Sequence, residues 1–269
     1  MTKRSSHHAG RAPTSNTYRF FVHPDTIQGS HVRIEETGLV HQIGNVLRLR
    51  PGHEITLLDN SGWEHAVRLE TVERHVIIGT VEMRRPTSGE PRLKLALYVA
   101  LLKGERFEWV LQKGTELGAS MFAPIICERS VVDNAAGLGH SKIERWERIV
   151  REAAEQSRRG RLPVLLPPQR FSQACEQAVA QAKTLLLWEG SGGTGLRQVL
   201  RGLDSPLPSS APLSLAVFSG PEGGWSEDEL ATAIRYNMRL VSLGPRTLRA
   251  ETAPIAAAAA LFYEHGDLE

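Results

Sequence analysis

The sequence predicts a two-part α/β chain: a small, mostly antiparallel β-barrel, then a domain whose parallel sheet is covered by helices on both faces. Three observations carry this. Short apolar or alternating runs separated by turn signals fill residues 18–85. A linker composition, Pro86-Thr87-Ser88-Gly89-Glu90-Pro91, interrupts them. Beyond it, continuous apolar strands alternate with helical periods, the pattern of strands buried on both sides. At 269 residues there is room for about two domains, and the division predicted is a tail at 1–17, a barrel at 18–85, a linker at 86–91 and the α/β domain at 92–269.

In chain order, residues 18–22 and 31–35 read as strands, 39–49 as one small helix and 53–58 as a strand. Asp59-Asn60-Ser61-Gly62 is a hairpin turn into a strand at 63–69, and 76–83 supplies another. After the linker come a strand at 93–101, a helix at 105–117 and a strand at 122–127. A helix follows at 142–158, with Ile143, Trp146, Ile149, Val150 and Ala153 at helical spacing. Residues 162–166, 172–182 and 184–188 then read as strand, helix and strand. Residues 215–218 form a buried strand, and Ser226-Glu227-Asp228-Glu229 is a capping box that starts a helix at a fixed point.

The net charge of +2 excludes a uniformly polyanion-binding molecule, so any nucleic-acid contact must come from local basic clusters. Cys127 and Cys175 sit in apolar or helical patterns without metal-like spacing, as expected of a reducing cytoplasm. Residues 1–17 are polar with no apolar core, and the longest apolar run, 253–263, is too short to span a bilayer, so neither a signal peptide nor an anchor is expected. Eight of the ten histidines precede the linker, but none are paired at zinc-site spacing and no metal is expected.

Chemistry concentrates in two late glycine turns, 219–226 and 242–253, each between an apolar run and a helical pattern. Such turns present unpaired main-chain N–H groups at a helix start, and glycine lets a ligand approach the backbone. Gly190-Ser191-Gly192-Gly193-Thr194-Gly195 also matches the dinucleotide fingerprint G-x-G-x-x-G, which is the nicotinamide alternative. It lacks the acidic residue that should end the next strand, because 215–218 runs into Ser219 and Gly220. No Walker pattern is present. Glu222 and Glu251 stand in the two turns, where a carboxylate ordinarily satisfies loose N–H groups of its own turn.

Gly220-Pro221-Glu222-Gly223-Gly224, followed after a strand by Ser242-Leu243-Gly244-Pro245-Arg246-Thr247-Leu248-Arg249-Ala250-Glu251-Thr252-Ala253, closely resembles the SPOUT-class RNA methyltransferases, in particular the RsmE type that methylates N3 of a uridine in 16S ribosomal RNA. The resemblance spans the chain through Arg19 and Phe20, Lys113 with Glu116-Leu117-Gly118, Arg129-Ser130 and Glu155-Gln156-Ser157. Two features depart from it: Arg158-Arg159-Gly160-Arg161 is unusually basic, and Pro245 and Thr247 vary the second loop.

The resemblance implies a PUA-like barrel that binds RNA and a C-terminal trefoil knot, for which the alanine run 256–260 supplies slim side chains. It implies S-adenosylmethionine held in a bent shape by Leu187, Trp188, Glu189, Ser219, Gly220, Pro221, Gly223, Gly224, Leu243, Gly244, Arg246, Leu248, Thr252 and Ala253. Arg249 is expected to stabilise negative charge on a uracil oxygen, and Glu222 or Glu251 to accept the N3 proton, with the choice between them open. Arg19, Arg129, Arg158, Arg159 and Arg161 are expected to hold phosphates of 16S ribosomal RNA or the small subunit, with Arg48 and Arg50 extending the footprint. A two-fold homodimer is also implied, with apolar surface around Trp109 and Trp146 to pack it. The alternative from another class is a non-catalytic RNA-binding or ribosome-assembly protein that retains the cofactor loops.

Overall fold

The computed structural model describes residues 18–130, 139–190, 192–202 and 214–268. Contacts divide the chain into two compact units, residues 1–59 with 63–85, and residues 60–62 with 86–269.

The first unit holds β1 (Arg19–Phe21), β2 (Ile27–Gln28), β3 (His31–Ile34), α1 (Thr37–His41), β4 (Glu54–Leu58), β5 (Trp63–Val72) and β6 (Ile77–Pro86). Its six-stranded sheet runs β1-β4-β5-β6-β3-β2, an open order with β1 and β2 at the ends. The β4–β5, β3–β6 and β2–β3 pairs are antiparallel, and β1 joins β4 in parallel, Arg19 opposite Thr56. The expected hairpin forms, with Leu58 opposite Glu64 and the turn residues Asn60 and Gly62 both at positive φ. Ile34, Ile43, Ile55, Leu57, Val67, Leu69 and Ile77 make the core. The helix expected at 39–49 is broken in two: α1 passes into a single π-helical turn at Gln42–Val46.

The second unit begins with β7 (Lys94–Ala100), α2 (Arg106–Leu117), β8 (Met121–Ile126) and α3 (His140–Gln156). It continues through β9 (Val164–Leu165), β10 (Gln169–Arg170), α4 (Phe171–Val179), β11 (Lys183–Leu187), β12 (Thr194–Gly195) and α5 (Leu196–Arg201). It ends with β13 (Ser214–Ser219), α6 (Glu227–Arg235), β14 (Arg239–Ser242) and α7 (Thr252–Glu264). The sheet runs β10-β8-β7-β13-β11-β14-β12, with β9 beside β8, and its pairings are parallel.

Strand β7 shows why its sequence is a continuous apolar run. Leu95, Leu97 and Val99 face a layer containing Phe107, Val110 and Leu111 of α2, Trp146 of α3 and Ala257, Ala258, Leu261 and Phe262 of α7. The intervening Ala96, Tyr98 and Ala100 face Ala174 and Cys175 of α4 and Ala233 of α6. Period-two alternation therefore serves two cores at once, and neither face is left polar. Helix α6 starts where the capping box predicts: Glu229 N donates to Ser226 Oγ at 3.2 Å and Ser226 N to Glu229 Oε2 at 2.9 Å.

Several expectations are corrected. Trp146 is 1 % exposed and packs on Phe107 with ring centroids 4.6 Å apart, so it belongs to its own core and offers no interface surface; Trp109 is exposed. The helix expected to reach residue 158 stops at Gln156, and Arg158 takes a left-handed φ of 62°. The strand expected at 162–166 shrinks to β9, since Pro163 lacks a ladder donor. Strands β2, β10 and β12 and helix α5 carry too few residues to show a period. Of the stretch 190–195, Ser191 lies outside the described residues, and Thr194–Gly195 forms β12 beside β14. The tail 1–17 also lies outside the described residues.

Candidate functional site

Three neighbouring strands, β13, β11 and β14, end at Ser219, Leu187 and Ser242, and the loops leaving those ends converge. In open parallel sheets the crevice outside the carboxyl ends of strands is where ligands bind. Here residues 187–189, 219–225 and 243–251, with Ala253, Val241, Arg106 and Arg129, line a cleft of about 620 Å³. That volume lies within the range of about 300–1,000 Å³ common to small-molecule sites.

The walls are largely main chain, and specific side chains keep them in place. Trp225 Nε1 donates to the Leu187 carbonyl at 2.8 Å, tying the second loop to the first. The Trp225 ring lies so close to Gly220 that a Cβ there would stand 2.9 Å from it. Trp188 N donates to the Val241 carbonyl at 2.9 Å, and Ser219 Oγ to the Ala250 carbonyl at 3.4 Å, so the first loop is pinned to β14, which leads into the third, and the second to the third itself. Gly244 has a φ of 106° with nothing near its open side, a backbone region closed to most side chains.

Every residue expected to hold the cofactor lines this cleft except Thr252, which opens α7 and donates from its N–H to the Arg249 carbonyl at 2.9 Å. Arg249, Glu222 and Glu251 line it too, as does Arg129, whose Nη1 reaches the Gly223 carbonyl at 3.4 Å. Arg106, which the sequence reading passed over, donates from Nη1 to Glu222 Oε1 at 3.0 Å. A lone arginine at a helix start gives no sequence signal, because its partner is 116 residues away.

The expected RNA contacts divide. Arg159 is 2 % exposed: Nε and Nη2 donate to Glu90 at 3.2 and 3.0 Å, and Nη1 to the carbonyls of Thr115 and Ala119 at 3.3 and 2.6 Å. A guanidinium committed to four internal acceptors cannot hold a phosphate, and Arg159 is removed from the RNA-binding set. Glu90 also accepts from the N–H groups of Gly160 and Arg161 at 2.9 and 3.0 Å, so part of the expected linker is a fixed clamp. Arg161 is exposed but donates to the Ser61 carbonyl, and Arg158 is exposed. Arg19 is likewise turned inward. Its side chain is 14 % exposed and Nη2 lies 2.7 Å from Glu64 Oε2. Burial alone pushes the Glu64 carboxyl up, but its bonds to Arg19 and Arg85 outweigh this and hold it below its ordinary value.

Comparison with known proteins gives a consistent result. The profile of the RNA methyltransferase domain matches residues 89–262. Ribosomal RNA small subunit methyltransferase E of Bacillus subtilis is 35 % identical over 225 residues, 84 % of this chain and 87 % of that protein. The protein of the same name from Synechocystis is 36 % identical over 250 residues, 90 % of this chain and 76 % of that one. Among solved structures, the Neisseria gonorrhoeae ribosomal RNA small subunit methyltransferase E bound to S-adenosyl methionine superposes with a TM-score of 0.78 at 32 % identity, covering 92 % of this chain and 98 % of its own. A Legionella pneumophila methyltransferase with bound cofactor SAM gives 0.80 at 28 % identity, covering 93 % and 98 %.

Proposed function

Because this chain belongs to the RNA methyltransferase domain family, in its ribosomal RNA small subunit methyltransferase E branch, we propose that it transfers a methyl group from S-adenosylmethionine to N3 of a uridine in 16S ribosomal RNA. The observation that carries this reading is the cleft of three backbone loops at the ends of β11, β13 and β14, in a fold shared with a structure bound to that cofactor.

The residues fit the cofactor. The cleft has the volume for a nucleoside with an amino-acid tail, and main-chain groups around Leu187, Gly220 and Leu248 suit recognition of an adenine edge without charged side chains. When bound, S-adenosylmethionine supplies an electrophilic methyl group on a sulfonium. The chain supplies alignment, since the loops are cross-tied by Trp225 and by the main-chain bond from Trp188. Arg249, exposed at the cleft, stabilises charge developing on a uracil oxygen. Glu222 and Glu251 are the carboxylates available for the N3 proton.

An imide nitrogen engaged in pairing is out of reach, so the target uridine is unpaired or flipped out. Arg129 at the cleft and exposed Arg158 and Arg161 hold nearby phosphates, and the first unit acts as a second RNA contact through exposed Arg48 and Arg50. A two-fold homodimer, a C-terminal segment threaded as a trefoil knot and a cytoplasmic location complete the reading. The slim buried Ala257 and Ala258 of α7 support the threading, and the absence, among the described residues, of any helix able to cross a membrane is compatible with the location.

The test is transfer of labelled methyl from S-adenosylmethionine to small-subunit RNA by the purified protein, followed by mass-spectrometric identification of the modified nucleoside. N3-methyluridine is expected. A different methylated nucleoside refutes the N3 assignment, and RNA binding without transfer favours the non-catalytic alternative.

A further inference from the structure

The two carboxylates of the cleft are in unlike states. Glu222 is engaged: Arg106 Nη1 lies 3.0 Å from its Oε1. Glu251 is not. Its Oε2 is shut off from solvent and has no hydrogen-bond partner, and it is the one carboxylate oxygen in that condition among the described residues. Buried polar atoms are ordinarily satisfied, and an exception calls for a specific account.

The ordinary account of a carboxylate at this position is excluded by geometry. Glu251 is the N-cap of α7, where an acidic side chain would accept from the first free N–H groups. It makes no such bond. The N–H groups of Thr252 and Ala253 donate instead to the main-chain carbonyl of Arg249, at 2.9 and 3.0 Å. The helix start is thus satisfied without the Glu251 side chain; Glu251 lines the cleft, and its Oε2 accepts no bond from a protein donor. The other charged side chains lining the cleft are Arg106, Arg129, Glu189, Glu222, Arg246 and Arg249.

We propose that the Glu251 carboxylate is the acceptor of the proton that leaves uracil N3, and that Glu222 is not. The inference rests on the N3-methylation reading. The N3–H bond breaks and its proton passes to the Glu251 carboxylate. The nitrogen pair so released forms the bond to the methyl carbon, and the carbon–sulfur pair stays with sulfur, leaving a neutral thioether. A carboxylate, a neutral imide and a sulfonium become a carboxylic acid, a neutral N-methyl imide and a thioether, so charge balances.

The experiment compares Glu251→Gln, Glu251→Asp and Glu222→Gln with the parent protein. It measures single-turnover methylation of small-subunit RNA across pH and S-adenosylmethionine affinity by calorimetry. Glu251→Gln keeps shape and polarity but cannot take a proton, so its turnover falls by about 10²- to 10⁴-fold while cofactor affinity stays within about twofold. The deficit shrinks as pH rises, because alkali ionises the imide without help. Glu251→Asp retains a carboxylate and recovers part of the rate, and Glu222→Gln loses less than Glu251→Gln. The proposal is overturned by undiminished turnover in Glu251→Gln, by a deficit equal at every pH, or by a loss confined to cofactor affinity, which would assign the oxygen to the cofactor's ammonium. Loss of cofactor binding in both Glu251 variants overturns it as well. If the parent protein yields a nucleoside other than N3-methyluridine, the underlying reading fails, whatever Glu251 does.

Discussion

Arg159 and Arg129 look alike in the sequence, each an arginine followed by a small residue in a segment expected to meet RNA, yet the fold uses them in opposite ways. Arg159 is enclosed, with Glu90 and two carbonyls consuming its donors. Arg129 lies exposed at the cleft, with a single long bond to the Gly223 carbonyl. What separates them is the supply of acceptors around each guanidinium. A cluster of positive residues in a sequence is a surface patch only where the fold has left its charges unspent.

The sharpest way to break this comparison is Arg159→Ala. It strands Glu90 beside two unserved carbonyls, and loss of about 3–5 kcal/mol of stability is expected, read from the denaturation midpoint in urea. Arg159→Lys should not rescue it, because one ammonium cannot span the carboxylate and both carbonyls. An unchanged midpoint would show that the buried network is idle. Next in size is Arg249→Ala, where turnover should drop about 10²- to 10³-fold with stability unaltered, as expected of charge stabilisation by an exposed donor. A drop explained by weakened cofactor binding alone would contradict that role.

A smaller effect is expected from Arg129→Ala. RNA affinity should fall modestly, and the slope of log affinity against log salt should flatten by about 1, the signature of one lost phosphate contact. Arg159 variants that still fold should leave the slope unchanged. The smallest effect concerns Arg19, the other inward-turned arginine. Because the Glu64 carboxyl is held below its ordinary value of 4.5, the stability it lends is complete above that value and drains as pH falls through the lower folded value. Glu64→Gln should lower stability most at neutral pH and flatten the acid limb, so that variant and parent converge at low pH in thermal melts.

Much of the α/β sheet was readable because its signals are local. The seven-residue β7 and the capping box of α6 each declare themselves within a few positions. The cleft was readable for a different reason: glycines whose backbone must be approached closely or held at positive φ leave their identity in the sequence, as Gly220 and Gly244 do. The partners were not readable. Arg106 finds Glu222 and Arg159 finds Glu90 only after the sheet has brought distant segments together. Even the state of Glu251 depends on the Arg249 carbonyl taking over the helix start, a matter of loop path that residue types do not encode.

The Glu90 clamp has a practical side for anyone who wishes to excise the catalytic half. A fragment starting just after the proline at position 91 would look sensible from composition, yet it would discard the counter-ion of a charge that has no access to water. Cutting ahead of Thr87, whose N–H and hydroxyl both reach the Gly62 carbonyl, keeps that counter-ion but forfeits the acceptor, so a soluble truncation must replace the turn as well as spare the glutamate.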